Sequence, residues 1–78
     1  MATEDEQMAT QLLRTGATVP EQQQALSWLA DYCEESYILN LPPASKVLQA
    51  LDRFSRRAQA DPTLKRHSAK LYKQYKLR

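Results

Sequence analysis

Lysine and arginine side chains are concentrated in the second half of this 78-residue chain. Residues 45–78 contain ten cations and two acids, a balance of +8, whereas residues 1–44 contain one cation and seven acids, a balance of −6. Closely spaced cations bind nucleic acids by neutralising phosphates and releasing condensed counterions. The asymmetry between the two halves therefore indicates a polyanionic or acidic partner.

The residue types that catalyse reactions or bind metals are scarce. Cys33 is the only cysteine and His67 the only histidine, whereas a structural zinc site takes four ligands. A Cys33–His67 nucleophilic pair would lie inside predicted helices, with no glycine-rich turn to frame an oxyanion site. We therefore expect no enzymatic activity, no metal site and no cofactor. Cys33 is predicted to be a small core residue.

The elements that position the cations are predicted to be helices. The chain has one glycine and no useful run of alternating apolar and polar residues, which argues against strands and hairpins. Apolar residues recur at spacings of three, four and seven, as in helices with one buried face. We predict a single all-α domain over residues 1–78, with four short helices at about 4–15, 20–36, 43–58 and 62–75.

Capping residues and prolines set the predicted helix boundaries. Thr3 followed by Glu6 has the form of a capping box at the start of helix 1, and Gly16 supplies a left-handed stop after it. Thr18 or Val19 is predicted to lie near the cap of helix 2, and Asp61 at the cap of helix 4, because a proline follows at an early helical position in each case.

The segment YILNLPP, residues 37–43, interrupts the helical pattern. Two consecutive prolines forbid an uninterrupted helix, and the residue before a proline favours extended backbone. We predict that this segment is an apolar linker and that its Ile38 and Leu41 pack onto the helices. Helix 2, which precedes the linker, is predicted to have a wide apolar face that ends at Tyr37. Trp28, at the edge of that face, is predicted to pack in the core; the alternative is an aromatic anchor of a dimer or partner interface.

Helices 3 and 4 are each predicted to bury one face and expose a cationic one. At 100° per residue, the apolar side chains fall in one sector and the cations lie opposite them. The predicted binding residues are Lys46, Arg53, Arg56 and Arg57 on helix 3, and Lys65, Arg66, Lys70, Lys73 and Lys76 on helix 4. If both apolar faces turn towards one core, these cations form one continuous surface. The alternative is a solvated surface with no partner.

These patterns predict a small non-enzymatic regulatory or accessory protein that binds nucleic acid. Helix 4 carries mostly lysine, which suits phosphates better than base edges, so we expect more backbone affinity than sequence discrimination. The alternative is a protein–protein interaction module, an adaptor or inhibitor that docks on an acidic partner surface. A homodimer is a further alternative, because the acidic half of one copy complements the basic half of another.

The expected location is the cytoplasm. A single cysteine is typical of a reducing compartment, and the first residues have neither a basic start nor an apolar run, so we expect no signal peptide. No apolar run approaches the roughly 20 residues needed to span a bilayer. We therefore expect no membrane partner.

Overall fold

A computed structural model describes residues 3–76, and within this range the chain forms four helices and no strand. The helices are α1 (Glu4–Leu13), α2 (Val19–Ile38), α3 (Ser45–Ser55) and α4 (Pro62–Lys76). The all-α class and the four helices predicted from the sequence are confirmed. No helix in the described part of the chain has the length and apolar character needed to cross a membrane.

The four helices pack in a ring, in which each helix packs mainly against two others. α1 contacts α2 and α3, and α4 contacts α3 and, less extensively, α2. α1 and α3 run in the same direction, because Glu6 and Lys46 pair near their starts at 3.5 Å. At their other ends, the guanidinium of Arg57 donates to the carbonyl oxygen of Leu13. α1 and α3 therefore lie side by side over their lengths, and α4 packs mainly on α3.

The core contains apolar side chains from all four helices. They are Leu12 from α1; Ala25, Leu26, Leu29 and Cys33 from α2; Val47, Leu51 and Phe54 from α3; and Leu64, Leu71 and Tyr75 from α4. Burying each large aliphatic or aromatic side chain contributes about 1.5–3 kcal/mol. The buried hydroxyl of Ser68 donates to the carbonyl oxygen of Leu51 at 2.7 Å, which fixes α4 on α3 without leaving a buried polar group unpaired.

The starts of α2 and α4 confirm the capping predictions. The Thr18 hydroxyl accepts from the Glu21 amide at 3.3 Å, and the Glu21 carboxylate accepts from the Thr18 amide at 3.0 Å, which completes a capping box. The backbone and hydroxyl hydrogen bonds from Thr18, followed by Arg14, lower the pKa of Glu21 below its ordinary value. At α4, the Asp61 carboxylate accepts from two first-turn amides at 3.0 and 3.2 Å.

The capping box predicted for α1 is wrong. Thr3 is the N-cap residue but makes no side-chain cap hydrogen bond. Glu6 pairs instead with Lys46 of α3, because helix packing brings a cation to it that the local sequence does not reveal. α1 ends at Leu13 rather than at the predicted residue 15, and Gly16 has the predicted left-handed backbone, with φ of +86°.

α2 extends to Ile38, beyond its predicted end at residue 36, and closes in a Schellman motif. The Leu41 amide donates to the Ser36 carbonyl at 2.8 Å, and the Asn40 amide donates to the Tyr37 carbonyl at 3.0 Å. Asn40 has φ of +58°, a left-handed conformation that asparagine adopts more readily than most residues.

This motif overturns the prediction that Ile38 and Leu41 pack onto the helices, since their side chains are 72% and 56% exposed. A Schellman motif is usually closed by an apolar contact between the residue after the left-handed one and the third residue from the helix end. Here those two positions are Leu41 and Ser36, so the usual contact lacks an apolar partner. Tyr37 is also exposed, although the sequence placed it on the buried face.

α3 is shorter than predicted at both ends, at Ser45–Ser55. The Ser55 hydroxyl donates to the Asp52 carbonyl at 2.7 Å, an acceptor that the Arg56 amide would use in a continued α-helix. The Arg56 amide donates instead to the carbonyl oxygen of Arg53, at 3.2 Å. Arg56 and the residue after it therefore lie beyond the regular helix.

Candidate nucleic-acid interface

α4 combines a buried apolar face with an outward cationic face. Leu64, Ser68, Leu71 and Tyr75 are its buried residues. The cations on the remaining surface, which we call the α4 cationic face, are Lys65, Arg66, Lys70, Lys73 and Lys76. None of the five forms an ion pair with any residue between 3 and 76, and α4 itself contains no acidic residue. The face therefore combines five cations with no acidic residue from its own helix.

The helix repeat sets the spacing of these cations. Arg66, Lys70 and Lys73 follow one another at intervals of four and three residues, so they form a ridge opposite the core. At a rise of 1.5 Å per residue, the face extends over roughly 16 Å from Lys65 to Lys76. The Lys76 ammonium lies 5.2 Å from the centre of the Tyr72 ring, a cation–π distance that favours a position close to the helix.

Two of the cations predicted for helix 3 lie on the side of α3 that faces α1. Lys46 and Arg53 line a groove of about 230 Å³ between these helices, together with Glu6 and Thr10. The Lys46 ammonium is 3.5 Å from the Glu6 carboxylate. Arg53 has no ion pair with the described residues. The helix packing thus separates both cations from the α4 cationic face.

The other two predicted helix 3 cations, Arg56 and Arg57, also have partners within the chain. The Arg56 Nε atom is 3.0 Å from the Asp52 carboxylate, one turn earlier. Arg57 is partly buried, and its guanidinium donates to the Leu13 carbonyl oxygen, the link between α3 and α1. The cations without partners among residues 3–76 are therefore concentrated on α4.

The cysteine and the histidine do not form a reactive site. Cys33 is fully buried, and burial raises the pKa of its thiol to about 11. The thiol is therefore protonated at neutral pH and is a weak nucleophile. His67 is exposed on α4. Between residues 3 and 76, no three His, Cys, Asp or Glu side chains are grouped so that they could hold a metal ion.

Trp28, the candidate interface aromatic, is partly buried and packs against the core. Its ring stacks on that of Tyr32, with centroids 5.7 Å apart and planes at 12°. The Tyr32 hydroxyl accepts a hydrogen bond from the Ala44 amide at 3.2 Å, so the aromatic pair supports the backbone just before α3. These contacts give Trp28 a packing role in the chain.

One exposed apolar feature was missed in the sequence. Residues 37–41, which we call the apolar tip, contain four apolar side chains that are each more than half exposed: Tyr37, Ile38, Leu39 and Leu41. Asn40 could have revealed it, because asparagine suits the left-handed position of a Schellman motif. Ser36 is a second signal, because it is polar at the position where the motif usually has an apolar partner.

A cleft of about 570 Å³ lies at the opposite end of the helices, between the α1–α2 and α3–α4 connections. Arg14 and Arg57 are the charged residues among those that line it. Arg14 pairs with Glu21, and Arg57 donates to the Leu13 carbonyl oxygen. Because both guanidinium groups already have partners, the cleft is a weaker candidate for an anion than the α4 cationic face.

Comparison of the chain with protein-family models, with curated proteins and with solved structures finds no match. The functional evidence is therefore the geometry and charge of the α4 cationic face and the apolar tip.

Proposed function

We propose that this chain is a small non-enzymatic protein that binds nucleic acid through the α4 cationic face. The observation that carries the proposal is the group of five cations on one helix, none paired with a carboxylate among residues 3–76. A cation that already has an anionic partner must lose it to bind phosphate. The cations of α4 have no such competition, which favours phosphate binding.

The dimensions of the face suit a duplex backbone. Duplex DNA carries roughly one negative charge per 1.7 Å of its axis, so a helix face of roughly 16 Å spans about nine phosphate charges. The phosphates within reach therefore outnumber the cations. Lysine contacts phosphate as a point charge, and only Arg66 and Gln74 on α4 are residue types that commonly read bases. We expect tight backbone binding with little preference among sequences.

A salt titration of duplex binding tests this proposal. If three to five phosphates are neutralised, log affinity falls with log salt at a slope of roughly −2.7 to −4.5. Between 50 and 200 mM salt, the affinity then drops by roughly 40- to 500-fold. Fluorescence anisotropy with two unrelated duplexes and one single strand measures both the slope and the sequence preference. Absence of binding to all three probes at 50 mM salt would contradict the proposal.

The second candidate is a protein-interaction module that docks the same face on an acidic partner surface. The exposed apolar tip favours it, because apolar side chains bury well in protein interfaces but find few partners on a phosphate backbone. A pull-down from lysate with and without nuclease separates the candidates. Capture that disappears with nuclease supports nucleic acid, whereas a protein retained after nuclease treatment supports the module.

A further inference from the structure

Two surfaces of this chain carry charges that form no ion pair with residues 3–76, and they complement each other between copies. The first is the apolar tip together with the exposed acids of the last turns of α2, which are Asp31, Glu34 and Glu35. None of these acids forms an ion pair with a residue between 3 and 76. The second is a groove between α3 and α4 that is bordered by two of the cations of α4.

The groove has a shape and chemistry that fit an aliphatic side chain. It has a volume of about 410 Å³ and is lined by Asp52, Ser55, Ala69, Tyr72, Lys73 and Lys76. Ala69, the Tyr72 ring and the aliphatic stems of the lysines provide apolar contacts, while the ammonium groups stay at the rim. The one carboxylate in the lining, Asp52, is already paired with Arg56.

The apolar tip has the complementary arrangement. Glu34 precedes Ile38 by four residues, and these positions lie on the same face of a helix. An Ile38 side chain placed in the groove therefore brings Glu34 to the rim, next to Lys73 and Lys76. The Schellman hydrogen bonds at 2.8 and 3.0 Å hold the tip backbone in one conformation, so little ordering entropy is lost on docking.

We infer that two copies of this chain associate by placing the apolar tip of each in the α3–α4 groove of the other. We expect the arrangement to be reciprocal because a stable interface buries about 800 Å² on each partner. One five-residue tip provides less buried area than this. Two such contacts in one dimer double the apolar area and close the assembly. Lys65, Arg66 and Lys70 lie outside the groove lining and stay available for phosphate.

Sedimentation equilibrium of the full chain tests this inference at protein concentrations from micromolar to submillimolar in 50 mM salt. The expected result is a reversible monomer–dimer equilibrium. Ile38→Asp with Leu41→Asp should weaken dimerisation by at least about 100-fold, because two charges would enter the apolar groove. Val19→Asp is the matched control: Val19 is also an exposed apolar residue of α2, 48% exposed, but lies at the other end, so dimerisation should be unchanged.

Charge reversal identifies the two surfaces as partners of each other. Glu34→Lys with Glu35→Lys should weaken dimerisation, and so should Lys73→Glu with Lys76→Glu. A mixture of these two double variants should form a heterodimer again, since opposite charges face each other at both of its contacts.

Three outcomes would overturn the inference. They are a wild-type chain that stays monomeric over the whole concentration range, an Ile38→Asp/Leu41→Asp variant that dimerises like wild type, and a series of oligomers larger than two. Circular dichroism of each variant shows whether a lost dimer reflects a lost fold. The Arg66 and Lys70 side chains are unchanged in every variant, so duplex binding through them can be scored separately.

Discussion

α4 carries five cations, and α3 with the two residues that follow it carries four, yet the two groups differ in their partners. On and just after α3, Lys46 pairs with Glu6, Arg56 pairs with Asp52, and Arg57 donates to a carbonyl of α1. On α4, no cation has an ion-pair partner among residues 3–76. Lys46 and Arg57 therefore connect α3 to α1, whereas no cation of α4 forms an ion pair with another helix in the described part of the chain.

The position of each helix explains this difference. α3 lies between α1 and α4, so its flanks meet acids and carbonyls of neighbouring elements. α4 has no acid of its own, and its cations lie away from its buried residues. The number of cations on a helix therefore does not by itself indicate its function, because acids and carbonyl oxygens of a neighbouring helix can pair with those cations.

The largest expected effect is a difference in duplex affinity between variants of the α4 cations and variants of the α3 cations. Arg66→Gln with Lys70→Gln removes two phosphate contacts and should lower duplex affinity by about 60-fold at 0.1 M salt, with a salt slope smaller by about 1.8. Lys46→Gln with Arg56→Gln removes the same net charge but should lower affinity by less than about 3-fold, because neither cation belongs to the α4 cationic face. Fluorescence anisotropy measures both variants.

Equal losses in the two double variants would contradict this distinction. Binding would then depend on net charge alone, through long-range attraction, rather than on the position of the cations.

A smaller expected effect is a difference in the free energy of unfolding between a variant just after α3 and a variant of α4. Arg57→Ala removes the hydrogen bond to the Leu13 carbonyl oxygen, a charge-assisted bond at a partly exposed site, and should lower the free energy of unfolding by about 1–1.5 kcal/mol. Lys70→Ala, on the solvent side of α4, should change it by less than about 0.5 kcal/mol. Urea unfolding followed by circular dichroism gives both values. Equal stability of the two variants would show that Arg57 does not connect α3 to α1.

The smallest expected effect concerns the attachment of α4 itself. Ser68→Ala removes the buried hydrogen bond to the Leu51 carbonyl oxygen and should lower the free energy of unfolding by about 0.5–1 kcal/mol. The cations are unchanged, so duplex affinity should be the same as in wild type when both proteins are folded. A large loss of affinity without unfolding would mean that the orientation of α4, and not only its charge, determines binding.

The helices and most of the buried face were predictable because their signals are local. Thr18 before Pro20 and Asp61 before Pro62 mark the starts of α2 and α4, and the apolar spacing identified Val47, Leu51 and Phe54 as core residues. Capping and periodicity act over one or two helical turns. Nearly all of the interactions that determine helix starts and buried faces are therefore made between residues that are close in the sequence.

The helix C-termini and the apolar tip were harder to predict. Leu41 and Ile38 were expected to pack because apolar residues in short linkers usually find a core to bury in. The Schellman motif at Asn40 instead turns the chain so that these side chains meet solvent. An apolar residue is buried only if another part of the fold lies against it. The residues next to it in the sequence do not show whether such a part is present.

The sequence by itself determined that this protein is all-helical, where α1, α2 and α4 start, and that cations are concentrated on α4 and on and just after α3. The tertiary structure alone decided which of those cations remain without partners. Glu6 and Lys46, and likewise Leu13 and Arg57, are about 40 residues apart in the chain. Such pairs form only when packing brings distant helices together, because hydrogen bonds and ion pairs act over a few ångströms.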